Sequence, residues 1–108
     1  MSKLTPEKIV NVAENILKEN EITYDVRISD HNSIYITMHY IDTCIRVRIS
    51  DHYAVTPDRK KIRTFIVKNN TRSKTVESFI RNAIDSLKKK ATYKAFEKIE
   101  KGEKNGKN

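Results

Sequence analysis

Alternation of apolar and polar residues predicts a four-stranded β-sheet in the middle of the chain. The alternating segments are residues 22–29, 34–41, 44–50 and 62–68. The hexapeptide Val-Arg-Ile-Ser-Asp-His occurs at residues 26–31 and again at residues 47–52, and both copies end in the turn-forming residues Ser-Asp-His. If the first three strands form an antiparallel meander, both Ser-Asp-His corners lie at one end of the sheet, about 10 Å apart at two strand spacings.

The segments before and after these strands have apolar residues at helical spacing. The first helix is predicted to begin at Pro6 with Thr5 as its N-cap, and the second to have Ser73 or Thr75 as its N-cap and to end near Lys101. Each helix has one apolar stripe, and the strands share one strongly apolar face. The simplest burial of these surfaces is an α+β two-layer sandwich, in the order helix, four-stranded antiparallel sheet, helix.

Length and composition set the broad class of the protein. The length of 108 residues indicates one domain, which we expect at residues 1–101, followed by a disordered basic tail at residues 102–108. No apolar run approaches the ~18 residues of a membrane span, and a single cysteine provides no disulfide framework. We therefore expect a cytoplasmic protein with no membrane contact.

The charge of the chain is concentrated near its C-terminus. The formal net charge is +8, and residues 86–108 contain eight lysines and three glutamates, which is a net +5. A basic balance favours acidic partners, such as nucleic acid, acidic protein patches or anionic lipid. The alternative for this tail is a solvated, lysine-rich segment that only increases solubility.

The second face of the sheet is predicted to remain uncovered, because the two helices cover the first. It presents arginines and aromatic or titratable groups, and the irregular segment of residues 51–61 adds further cations. Arginine and aromatic side chains together are suited to phosphate contact and base stacking. We therefore predict a surface for nucleic acid or another partner that consists of Arg27, Tyr35, Arg46, Arg48, Tyr53, Arg59, Lys60, Lys61 and Arg63.

The repeated corners and the single cysteine are the candidates for chemistry. Two imidazoles and two carboxylates, which suit a divalent metal, come from Asp30, His31, Asp51 and His52. The alternative is that these corner side chains satisfy backbone N–H groups in tight turns, which is the commoner role. Cys44 lies across the hairpin from His39, yet a lone cysteine in a strand is typical of packing. We assign no catalytic residue, metal or cofactor, and predict that the protein is not an enzyme.

A resemblance adds a more specific hypothesis. The segments Ser-Ile-Tyr-Ile at residues 33–36 and Ile-Arg-Val-Arg-Ile-Ser-Asp-His at residues 45–52 resemble small orphan proteins of phages and mobile elements in Gram-positive bacteria. Several small α+β proteins of such elements are anti-CRISPRs. The resemblance therefore implies an inhibitor that binds the ribonucleoprotein of a Cas nuclease stoichiometrically.

Many anti-CRISPR inhibitors are acidic mimics of DNA. The basic charge of this chain differs from that pattern. A chain with a net charge of +8 is instead expected to contact guide RNA, target DNA or an acidic protein surface. The alternative function is a small basic nucleic-acid-binding accessory protein. The oligomeric state, including a homodimer, stays open.

Overall fold

The computed structural model describes the backbone of residues 4–54 and 62–106, with side chains up to Thr92. Two helices enclose four strands in sequence, which confirms the α+β class. The elements are α1 (Pro6–Glu19), β1 (Thr23–Ile28), β2 (Ile34–Tyr40), β3 (Thr43–Ser50), β4 (Arg63–Ile66) and α2 (Ser73–Gly106).

Helix α1 begins at Pro6, the residue that its sequence predicts. The Thr5 hydroxyl accepts a hydrogen bond from the Lys8 N–H at 3.3 Å, and Pro6 follows in the first turn. Asn20 ends the helix, and its amide Nδ2 donates to the Ile16 carbonyl at 2.8 Å. These caps satisfy backbone groups that a helix otherwise leaves open at its ends.

The sheet has the order β1-β2-β3-β4, and its direction changes at the last strand. Strands β1, β2 and β3 form the predicted antiparallel meander, but β4 runs parallel to β3, with Val47 opposite Arg63 and Ser50 opposite Ile66. The prediction of an entirely antiparallel sheet is therefore wrong. The alternation of apolar and polar residues indicates the face of the sheet on which each side chain lies. It does not indicate the direction in which the strand runs. A parallel pair needs a connection of about a dozen residues, and residues 51–62 supply that length.

Both helices pack on the same face of the sheet and on each other. The buried cluster joins the apolar stripes of the helices to the inward rows of β2 and β3, including Leu17, Ile36, Val47 and Ile80. Burial of this face provides the main driving force for folding. At its margin the Tyr24 hydroxyl donates to Glu14 at 2.8 Å, and this hydrogen bond raises the pKa of the tyrosine and connects β1 to α1.

Helix α2 extends beyond the end of the sheet at the β2–β3 turn. Ala91 is buried, and the Lys88 Nζ atom lies 5.6 Å from the centre of the Tyr40 ring, so this part of the helix reaches the end of β2. The backbone helix continues to Gly106, past the predicted end near Lys101 and into the segment predicted to be disordered. About 15 residues of helix, or about 22 Å, therefore lie beyond Ala91.

Two hairpin turns are built without glycine. In the β1–β2 turn, the Ser29 carbonyl accepts from the Asn32 N–H and the Ser29 N–H donates to the Ser33 carbonyl, both at 2.9 Å. Asn32 has a φ of 61°, so it takes the left-handed position that glycine usually occupies in a three-residue hairpin loop. Asparagine tolerates this conformation better than most residues.

The β2–β3 turn places a strained isoleucine at its tip, and its replacement by asparagine should stabilise the fold. Ile41 has a φ of 58° and is 78% exposed, so the turn carries a steric cost with little burial in return. We expect Ile41→Asn to raise the free energy of unfolding by about 1 kcal/mol in urea titration. Ile41→Val, which keeps the β-branch, is the matched control and should give no gain. A lower free energy of unfolding for Ile41→Asn would contradict the conclusion that Ile41 strains the turn.

Candidate functional site

The two Ser-Asp-His corners meet at one end of the sheet, as the meander predicts. The rings of His31 and His52 lie edge to face, with their centres 6.4 Å apart and their planes at 88°. Between the corners, the hydroxyls of Ser33 and Ser50 form a buried hydrogen bond of 2.9 Å. Side chains from two separate turns therefore form one connected group.

Both corner serines act as turn residues. The Ser29 hydroxyl accepts a hydrogen bond from the Ser33 N–H at 3.1 Å, and the Ser50 hydroxyl accepts one from the His52 N–H at 3.4 Å. Such local bonds give the backbone partners where the ladder stops. These hydrogen bonds therefore agree with the interpretation of the repeated motif as a turn.

Arg48 lies inside this group and is almost fully buried, so its prediction as an exposed contact residue is wrong. The pleat places it on the second face of the sheet, as expected, but the His52 carbonyl and the Ser33 hydroxyl contact its guanidinium there. One guanidinium nitrogen, Nη2, donates to the His52 carbonyl at 2.9 Å and to the Ser33 hydroxyl at 3.2 Å. Arg48 is 2% exposed, and its Nε and Nη1 atoms are buried without a hydrogen-bond partner. The side chain is therefore part of the interior.

The Ser50, His52 and Asp51 side chains are connected, but not as a proton relay. The Ser50 hydroxyl lies 3.1 Å from His52 Nδ1, and Asp51 Oδ1 lies 2.9 Å from the same nitrogen. In a catalytic triad the serine and the carboxylate contact different ring nitrogens, so that one accepts a proton while the other is held. With both partners on Nδ1, the contacts orient the imidazole and close the turn.

The corners do not assemble a metal-ligand set. Within residues 4–54 and 62–92, no three His, Cys, Asp or Glu side chains converge in a way that suits a metal ion. The His31 and His52 rings contact each other edge to face, a geometry of aromatic packing.

The rest of the predicted surface is only partly brought together. On the second face, Arg27 is exposed and pairs with Asp25 at 3.6 Å, and Arg46 is exposed and donates from Nε to Thr37 at 3.0 Å. Tyr35 is half-buried beside Arg48, whereas Tyr53 is exposed after the second corner. Arg59, Lys60 and Lys61 lie outside the described residues.

Arg63 lies on the helix side of the sheet, away from Arg46. It opposes Val47, a core residue of β3, and its Nη1 atom donates to the Ser86 hydroxyl of α2 at 3.3 Å. The predicted grouping of Arg63 with Arg46 and Arg48 is therefore wrong. The reason is the alternation of faces along β4, which puts Arg63 on the same side as Phe65, a residue that packs against the core.

A second group of cations consists of Arg63 and three lysines of α2. Arg63 and Lys89 line one surface pocket together with Asp85. Lys88 lies next to Tyr40, and Lys89 and Lys90 are exposed. We call Arg63, Lys88, Lys89 and Lys90 the lysine surface. The run of three lysines is visible in the sequence, where it is part of the C-terminal concentration of charge and not of the predicted surface.

The structure shows the α+β class of the fold. Comparison with protein-family models, with curated proteins and with solved structures gave no match. In the part of the chain that the structure describes, no helix has the length and apolar character needed to cross a membrane.

Proposed function

We propose that the protein is a stoichiometric binding protein that contacts nucleic acid through the lysine surface. The observation that supports this most strongly is the pocket that Arg63 of β4 and Lys89 of α2 line together, with Asp85 as its acidic residue, beside the neighbouring lysines Lys88 and Lys90 of the same helix. Lysine and arginine bind phosphates by releasing condensed counterions, a contribution that needs no base-specific contact. The net charge of +8 adds long-range attraction for a polyanion.

The arrangement on α2 suits a target with phosphates on more than one side. Successive helical residues are about 100° apart, so Lys88, Lys89 and Lys90 spread over more than half of the helix circumference. One of them is held by the sheet, because the Lys88 ammonium lies 5.6 Å from the Tyr40 ring. The other two project into solvent, where they are available for phosphate contact.

We propose further that the target is the ribonucleoprotein of a CRISPR effector, which the protein inhibits. This choice of target rests on the resemblance of residues 33–36 and 45–52 to small proteins of phages and mobile elements. A basic inhibitor does not replace DNA at its binding site. It acts by contact with guide RNA, with target DNA or with an acidic surface of the effector, and such contact needs no catalytic residue.

Titration of a purified CRISPR effector from the bacterial host tests this function. DNA cleavage should fall in proportion to added protein, reach completion near one or two chains per effector, and recover at high salt because exposed charges are screened. Bovine serum albumin at equal concentration is the control for nonspecific effects. Inactivation at far fewer chains than effectors would show turnover and contradict stoichiometric binding.

A small basic nucleic-acid-binding accessory protein is the second candidate, and the lysine surface favours it equally. Pull-down from host lysate, with and without nuclease, separates the two. An effector that stays bound after nuclease treatment supports the inhibitor. Loss of every partner after nuclease treatment, together with tight binding to free nucleic acid and no inhibition, supports the accessory protein.

A further inference from the structure

Strand β1 has an outer edge that no strand of the described chain covers. It pairs on one side with β2 and lies first in the order of the sheet. The residues Ser29 and Ser33 face each other where the β1–β2 hairpin closes. The Ser29 N–H donates to the Ser33 carbonyl at 2.9 Å, so this is a hydrogen-bonded pair. Because hydrogen-bonded and non-hydrogen-bonded pairs alternate along an antiparallel ladder, the backbone groups of Tyr24, Val26 and Ile28 point outward. These groups are ready to pair with another strand.

The side chains along this edge form two distinct rows. On the helix side, Tyr24 and Val26 pack against the margin of the core, and Ile28 is 50% exposed. On the opposite side, Asp25 and Arg27 are exposed, with 64% and 85% of their side-chain surfaces in solvent. The edge therefore has apolar side chains on its helix side, and one negative and one positive side chain on the opposite side.

We propose that β1 pairs with the β1 strand of a second copy of this chain, in an antiparallel register centred on Val26. The pair would make one continuous eight-stranded sheet with the helices of both copies on the same face. In this register Tyr24 lies opposite Ile28 of the partner subunit, and Asp25 lies opposite Arg27 of the partner subunit. The edge is therefore complementary to itself in both apolar contact and charge.

The charges select this register over its neighbours. A shift of two residues in one direction places Asp25 opposite Asp25 of the partner subunit, and the opposite shift places Arg27 opposite Arg27 of the partner subunit. Like charges directly opposite each other destabilise a strand pair. A shift of one residue places the outward backbone groups of one copy opposite residues whose backbone groups point to β2 in the other copy. Hydrogen bonds between the two copies could then not form. In the proposed register both ion pairs fall at non-hydrogen-bonded positions, where side chains approach most closely.

Charge reversal in the full chain tests the pairing by analytical ultracentrifugation. Six residues from each copy bury less than a standard interface, so we expect a dissociation constant in the range of about 10–100 μM for the unaltered chain. Each of R27D and D25R gives strands with like charges opposite each other. Each alone should weaken self-association at least tenfold, whereas an equimolar mixture of the two should form heterodimers.

The double variant D25R/R27D provides the matched control, because it exchanges the two charges and keeps the edge self-complementary. It should dimerise about as well as the unaltered chain. Urea unfolding of dilute samples should be similar for all four proteins, since both side chains are exposed. A chain that remains monomeric at about 1 mM, or single variants that dimerise unchanged, would overturn the proposal. Neither outcome bears on the lysine surface, which lies on other elements.

Discussion

Replacement of Lys88, Lys89 and Lys90 together by glutamine should weaken binding to nucleic acid by about 100-fold at low salt. Each phosphate contact that is lost removes about 0.9 from the slope of log K against log salt concentration on duplex DNA, so loss of the two solvent-exposed lysines should make the slope shallower by nearly two. Fluorescence anisotropy with labelled duplex and single-stranded DNA, at several salt concentrations, measures both quantities.

The control for this prediction removes the same amount of charge elsewhere. Lys8, Lys18 and Lys74 are exposed on the helices and lie outside the lysine surface. Their joint replacement by glutamine should cost only a few-fold in affinity, through the lower net charge. If both triple variants weaken binding equally, the attraction comes from net charge, and the lysine surface is not a binding site.

The predicted contribution of residues 59–61 is tested in the same assay. Joint replacement of Arg59, Lys60 and Lys61 by glutamine should reduce the salt slope if they contact phosphates, as the sequence predicts. An unchanged slope would restrict the contact to Arg63 and α2.

Arg48→Ala should lower the free energy of unfolding by about 3 kcal/mol. The substitution leaves a cavity where the side chain is 2% exposed, and it removes the donor to the Ser33 hydroxyl and the His52 carbonyl. Urea unfolding followed by circular dichroism measures the change. Nucleic-acid affinity should stay within about twofold for the folded variant, because a buried guanidinium makes no phosphate contact.

Arg48→Met separates packing from charge at the same position. Methionine fills most of the volume and removes two buried nitrogens that lack a partner, so the loss should be below about 1 kcal/mol. If methionine destabilises the fold as much as alanine, the two hydrogen bonds of the guanidinium dominate over its packing. If either folded variant weakens nucleic-acid binding tenfold, Arg48 reaches the ligand.

Local features of the fold could be predicted from the sequence. The start of α1 follows from Thr5 and Pro6, since a cap is a contact between neighbours in the chain. The meeting of the two corners follows from two short hairpins, because a tight turn fixes the direction of the next strand. Both are consequences of short sequence separation.

Features that depend on distant pairing could not be predicted. The connection before β4 is long enough to permit either strand direction, and the parallel outcome determines which residues of β3 lie opposite Arg63 and Phe65. Alternation placed Arg48 on the second face correctly, but its contacts with Ser33 and His52 depend on how the two corners meet. Charge along a helix is visible in the sequence, whereas the grouping of Lys89 with Arg63 requires the packing of α2 against β4.

The parallel position of β4 also has a consequence for the order of folding. The β1–β2 and β2–β3 hairpins bring together residues that are close in the chain, so their loops close at little entropic cost. Strand β4 reaches β3 only after the longer excursion of residues 51–62, and it gains its apolar contacts when Phe65 meets Phe79 of α2, with ring centres 5.3 Å apart. The meander is therefore expected to form the nucleus of the transition state. Strand β4 and the start of α2 would then join as one late step, and proteins made slightly unstable would lose this edge of the sheet first.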